Sequence, residues 1–258
     1  MIKRENENFL YPAWIKLITA YFVSFFISLA AGLSLIYGLK VGPEKLLALS
    51  TQRLAVVGAV IEKGLQLGID SGILLFVWNV SGALATLSFI YTASLIDPRY
   101  KDRFPRLLRK SLCGQKPMKA LCYLPGCAKM NEEPLRRLYV WLMVPLLGII
   151  LLGTECGIIV SAVITLSGSV AAGFVSLLPH GIIEIPAFAL AGAVPFSAHL
   201  LVKQNALNTT TETVFDRVKA HREKIPVKTI VWVVVICLFI AGLIEAHITP
   251  VLLERLKG

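Results

Sequence analysis

Charge is scarce in this sequence. Asp, Glu, Lys and Arg supply 16% of its 258 residues, against about 25% in soluble globular domains, and several long stretches carry none. A soluble enzyme of this size is excluded on that ground. Cysteine is also short, at five residues, too few for a disulfide-dense secreted scaffold. Nineteen glycines and thirteen prolines are unexceptional for the length, which excludes collagen-like and low-complexity chains. No internal repeat is present. No GxSxG, HExxH or GxxxxGK[ST] pattern occurs, so no catalytic residue is assigned and the cofactor stays open.

What the chain has in abundance is apolar residues, 56% of the total, with a mean hydropathy of +0.72. A hydrocarbon core about 30 Å thick is crossed by roughly 20 residues of helix. Five segments qualify: about 17–39, 72–96, 139–166, 172–202 and 229–249. The first is too long for a signal-peptide core and no small-residue cleavage pattern follows it, so it reads as a retained helix. The fourth is broken around Leu178-Pro179-His180-Gly181, where Pro179 suits a helix start. Pro186 and Pro195 are expected to disturb the same helix. The sequence therefore predicts an all-α, polytopic membrane helix bundle, a single domain over 1–258.

The net charge of +10 fits that reading without nucleic acid. With five spans, the N-terminal segment and the loops 97–137 and 203–228 share one side and hold 20 of the 26 Lys and Arg. The positive-inside rule then places the N-terminus in the cytoplasm and the C-terminus outside the cell membrane. Residues 42–68 are too polar to cross. Leu54, Val57, Ile61 and Leu65 recur there at helical spacing, with Gln52, Arg53, Glu62, Lys63 and Gln66 interleaved. They predict an external amphipathic helix, packed on the bundle or offered to a partner.

Cys113, Cys122 and Cys127 lie in the basic loop 97–137, a loop assigned to the reducing side. Three thiolates could ligate zinc or an iron–sulfur cluster, but no CxxC pair and no histidine accompany them. Metal binding and ordinary packing both stay open. The Asn208-Thr209-Thr210 sequon falls in a loop assigned to the cytoplasm and is set aside.

Polar residues inside the spans are the functional candidates, because a carboxylate costs about 2.5–3.5 kcal/mol to place at mid-membrane. Glu155 lies in the third span, Glu184 in the fourth, Glu245 in the fifth, and Asn79 in the second. His180 and Glu184 are four apart and share a helical face. Together these five residues predict an intramembrane polar cluster, with His180, Glu184 and Glu245 its metal-ligand candidates. Three chemistries suit it: a cation or proton site, a catalytic centre, or neutral hydrogen bonds that pin helices together. Glu245 and His247 are two apart and point in different directions on a regular helix. Glu245 is the inward choice, and His247 falls nearer the outer end.

The segment Leu178-Pro179-His180-Gly181-Ile182-Ile183-Glu184-Ile185-Pro186-Ala187 resembles the PHGxxE-x-PA stretch of the stage II sporulation protein M family. A second likeness is Gly242-Leu243-Ile244-Glu245-Ala246-His247-Ile248-Thr249-Pro250, similar to the family's closing IEA-x-xTP segment. Asn79 falls where the family usually has an asparagine pair, though Val80 replaces the second member. The family's NG segment near the third span has no clear counterpart. The likeness covers roughly 71–250, with the Cys-bearing loop as an insertion. It implies a five-span bundle without known catalysis. In spore formers, members of the family anchor cell-wall-degrading partners at the membrane during engulfment.

The leading expectation is a non-enzymatic scaffold or assembly subunit. Its partners would be the bilayer and other membrane or envelope proteins, or further copies of the chain. An ion- or proton-coupled transporter or channel using the Glu/His cluster is the alternative. An intramembrane metal-dependent hydrolase is a third reading.

Overall fold

The structure is a computed structural model describing residues 9–51, 55–99, 130, 132–205 and 209–256. The loop with Cys113, Cys122 and Cys127 and the asparagine of the Asn208 sequon lie outside the described residues. Among those residues every regular element is helical: α1 (Leu10–Tyr37), α2 (Pro43–Thr51), α3 (Ala55–Gln66), α4 (Ser71–Thr92), α5 (Glu133–Ser167), α6 (Val170–Val175), α7 (Leu178–Asn205), α8 (Thr211–Lys224), α9 (Val227–Leu243) and α10 (Thr249–Arg255). A 3-10 turn, Ala93–Leu95, extends α4, and a π-helical turn, Ile244–Ile248, joins α9 to α10.

Among the described residues, five helices are long and apolar enough to cross a membrane: Leu10–Tyr37, Ser71–Leu95, Glu133–Ser167, Leu178–Gln204 and Val227–Arg255. These are the five spans read from the sequence, with shifted ends. The third begins at Glu133 rather than 139, so α5 is 35 residues long, about 52 Å at 1.5 Å per residue. It continues through Pro145 and ends at Gly168, whose left-handed backbone (φ 66°) suits a residue without Cβ.

The break before the fourth span lies earlier than 178–181. Ser169 caps the short α6 through its side chain, which accepts from Ala172 N at 3.2 Å. A turn at Ser176-Leu177 then separates α6 from α7. From Leu178 onward α7 is continuous, and neither Pro186 nor Pro195 ends it. The single amphipathic helix expected in 42–68 is two helices, α2 and α3. Leu65 is exposed and Ile61 half-buried, and it is Gly64 that turns inward, against Leu74 of α4. The side chain at 64 is small because Leu74 fills the space: a Cβ there would lie 2.6 Å from Leu74 Cδ2. Leu54 and the Val57 side chain lie outside the described residues.

Helix α7 occupies the middle, contacting α1, α4, α5 and α9. Five of its buried positions are alanine, Ala187, Ala189, Ala191, Ala193 and Ala198, and Gly181, Gly192 and Ser197 are small as well. Small side chains let four neighbours approach one helix, which substitutes for the hydrophobic drive that lipid does not provide. The same device welds α1 to α5 in parallel. Gly153, Gly157 and Ser161 recur every four residues on α5, facing Tyr21, Ser24, Phe25, Ser28 and Gly32 of α1. A Cβ on Gly157 would lie 2.8 Å from the Leu29 amide nitrogen. A second, antiparallel seam joins α4 to α9, where a Cβ on Gly242 would lie 2.9 Å from the Gly72 carbonyl.

At the bundle end opposite α2 and α3, polar contacts fasten α8 across the helix ends. Arg99 Nη2 bridges Asp97 Oδ2 at 2.8 Å and Asp216 Oδ1 at 2.9 Å, holding Asp216 below the usual carboxylate range. The Thr211 hydroxyl donates to Glu132. His221 Nε2 meets Ser197 Oγ at 2.8 Å. Burial, reinforced by nearby Lys224, pushes the His221 pKa down.

Two predictions follow from this packing. Gly157→Ala forces α1 away through backbone contacts and should cost about 1–3 kcal/mol. Gly148→Ala has open space around it and should be neutral or stabilising by up to about 1 kcal/mol. Thermal unfolding in detergent checks both, and equal stability of the two variants would refute a close-packed seam. The lowered His221 pKa means that the unfolded state binds the proton more readily. The stability contributed there is present above the ordinary histidine value, about 6.5, and is lost as pH falls through the folded value. Hydrogen exchange of α8, corrected for intrinsic rates, should show protection falling on acidification in the native chain and not in His221→Gln.

Candidate functional site

The site is built where α7 begins and α9 ends. Pro179 sits in the first turn of α7, where a missing N–H costs nothing. His180 and Glu184 follow on one face, Glu184 about 9 Å along the helix from Leu178. Asn79 reaches across from α4, and its Nδ2 donates to Glu184 Oε1 at 3.1 Å. Glu245 arrives on the π-helical turn. Pro250 supplies a cause for that turn: it has no N–H for the Ala246 carbonyl, and its ring needs clearance there. The helix widens by one residue, and the Thr249 N–H bonds the Ile244 carbonyl. Such single π-turns are frequent at functional sites.

One potential ligand atom from each of His180, Glu184 and Glu245 lies within 4.8 Å of those from the other two. His180 is 7% exposed, and the two glutamates are half-buried. His180 Nδ1 is buried with no hydrogen-bond partner among the described residues. The Tyr21 hydroxyl of α1 is likewise buried and unpaired by hydrogen-bond geometry, with Cys156 its polar neighbour and Glu184 within electrostatic reach. One imidazole and two carboxylates could hold a divalent metal, share protons, or relay them.

The structure thus gathers His180, Glu184, Glu245 and Asn79. Glu155 stays on α5, half-buried and outside the three converging ligand groups. His247 faces the other way and is exposed, with Nε2 3.2 Å from Asp70 Oδ2. Asp70 was absent from the sequence reading, although Asp70-Ser71 ahead of an apolar run is a helix-start signal. It caps α4, accepting from Gly72 N at 2.8 Å and Ile73 N at 3.3 Å. Partial desolvation opposes the shift, but those two amides and His247 hold its carboxyl below the usual range. His199 lies elsewhere, its Nδ1 2.9 Å from the Tyr139 carbonyl.

A family model described as SpoIIM: Stage II sporulation protein M matches residues 120–250. That range takes in α5 to α9, with Glu155, His180, Glu184 and Glu245, and ends at Pro250. It is shorter than the 71–250 read from the sequence motifs and leaves out Asn79. No curated protein and no solved structure matches the chain.

Asp70 serves both a cap and an ion pair, and substitutions should separate them. Asp70→Asn keeps the cap but loses the charge facing His247, whereas Asp70→Ala loses both. Midpoint temperatures should fall in the order Asp, Asn, Ala. Because the folded pKa of Asp70 is lowered, its contribution is present above the ordinary carboxylate range and disappears as pH falls through the folded value. In acid the native protein should lose its lead over the Asn variant, whose cap does not titrate, while the Asn variant keeps its lead over the Ala variant. An Asn variant no more stable than the Ala variant would remove the capping role.

Proposed function

The chain belongs to the stage II sporulation protein M family, and from that premise we propose that it is a non-enzymatic, multi-pass membrane subunit that recruits other envelope proteins. The observation that supports this reading is the helical cap outside the spans. On α3 and the residues after it, Val60, Leu65, Leu67 and Ile69 are 58, 48, 73 and 39% exposed. Exposed Glu62, Lys63 and Gln66 interleave with them. A mixed apolar and charged surface at the end of a rigid bundle suits a protein partner. The distribution of Lys and Arg supports a cytoplasmic N-terminus, which puts this cap and the His/Glu group on the outer side.

A specific observation also favours a second reading. Two carboxylates and an imidazole that converge inside the spans are the usual furniture of ion- and proton-coupled transport. The two readings diverge in measurement. Photo-crosslinkers at Val60, Leu65 and Leu67 should give discrete protein adducts in cells, and purified chain in liposomes should carry no proton, sodium, potassium or divalent flux. Flux that disappears in Glu184→Gln would replace the scaffold reading with transport. Adducts to lipid alone would remove the support that α3 gives to recruitment.

A further inference from the structure

The His180, Glu184 and Glu245 group is a charge problem as it stands. Two carboxylates approach each other on helices that cross a membrane, and among the described residues neither forms an ion pair with Lys or Arg. The one polar side chain pairing with Glu184 by a hydrogen bond is Asn79, a neutral donor. A nearby histidine, His180, is more than nine-tenths buried and keeps a buried ring nitrogen with no partner among the described residues. Like charges in a medium of low polarity repel strongly, so something positive belongs between them. Either protons or a cation can serve.

The donor set selects between cations. Magnesium and calcium prefer all-oxygen shells, whereas one histidine nitrogen with two carboxylate oxygens suits zinc and its first-row neighbours. Three protein ligands leave a fourth position for water or another group. Asn79 plays the supporting part, fixing the Glu184 carboxylate as outer-shell partners commonly do. The π-turn gives the second half of the argument. A regular helix would carry the residues around 245 on a different register, and the extra residue in the turn presents Glu245 toward α7 while His247 faces Asp70.

We propose that His180, Glu184 and Glu245 bind one divalent first-row transition metal, with zinc the probe ion. The metal staples the start of α7 to the π-turn that follows α9. Its role is structural: it neutralises the two carboxylates and fixes the outer end of the bundle. This goes beyond the recruiting role, and it reads metal content and stability rather than partners or flux, so either idea can fail alone.

The test uses the full chain in detergent, in a background with Cys113, Cys122 and Cys127 changed to serine, so that thiolates cannot account for bound metal. The metal-free protein is exposed to zinc, cobalt, manganese and iron(II) separately, then washed and measured by elemental mass spectrometry. The expected result is one zinc or cobalt per chain, with visible cobalt bands of low coordination number and no thiolate charge-transfer band. Glu184→Gln and Glu245→Gln, confirmed folded by circular dichroism and gel filtration, should bind at least tenfold more weakly. Asn79→Ala should weaken binding about 10- to 100-fold, as loss of an outer-shell partner does. Should a variant not fold, the native background decides alone: zinc should raise its midpoint temperature and a chelator should reverse the rise. Folded native-background chain that takes up none of the four metals overturns the proposal. So does uptake that both glutamine variants retain in full.

Discussion

A carboxylate among hydrocarbon tails has to be surrounded, and Glu184 imposes that requirement on the fourth of five spans. A carboxylate at mid-membrane costs about 2.5–3.5 kcal/mol on insertion scales; Glu184 lies in the second turn of α7, where a neighbouring imidazole and a second glutamate add to the need for enclosure. The arrangement of the other helices follows. α7 sits between α1, α4, α5 and α9, and its alanine-rich surface lets all four come close. Glycine and serine on α5 bring α1 against it, and the Gly72–Gly242 contact brings α4 against α9. The two seams form around one helix that carries the polar load.

The number of spans was legible in the sequence because length and hydropathy alone decide which segments can cross. The importance of Glu184 and Glu245 was legible for a similar reason, since any charge within such a segment stands out. Other features were hidden by the kind of signal they carry. Gly153, Gly157 and Ser161 form a four-residue repeat of small residues, visible in retrospect, yet nothing local says that its partner is α1. The central place of α7 is a tertiary fact. This helix is the least apolar of the five spans by a small margin, and that margin and the density of alanine are the only hints.

The π-turn was missed for a different reason. Pro250 does not end the fifth helix: the chain widens ahead of it and then continues as α10. A proline late in a helix removes one bond and forces a choice between stopping and expanding. Packing of Gly242 on Gly72 holds the helix in place and favours expansion. The cap at 42–68 shows the converse error. Spacing suggested Leu65 as the inward residue, but Leu74 already fills that space and admits only Gly64.

Order of synthesis adds a consequence to the placement of Glu184 on α7 and Glu245 on the segment after α9. Sixty-one residues separate the two glutamates, which at roughly 5–20 residues per second is a delay of about 3–12 s during translation. Throughout that interval the fourth span has left the ribosome while its last neighbour has not. Asn79, on a helix made earlier, is already available to receive Glu184. The half-built bundle therefore has one neutral host for the carboxylate before its charged counterpart exists, and the newborn chain meets its repulsive pair only when the final helix closes over it.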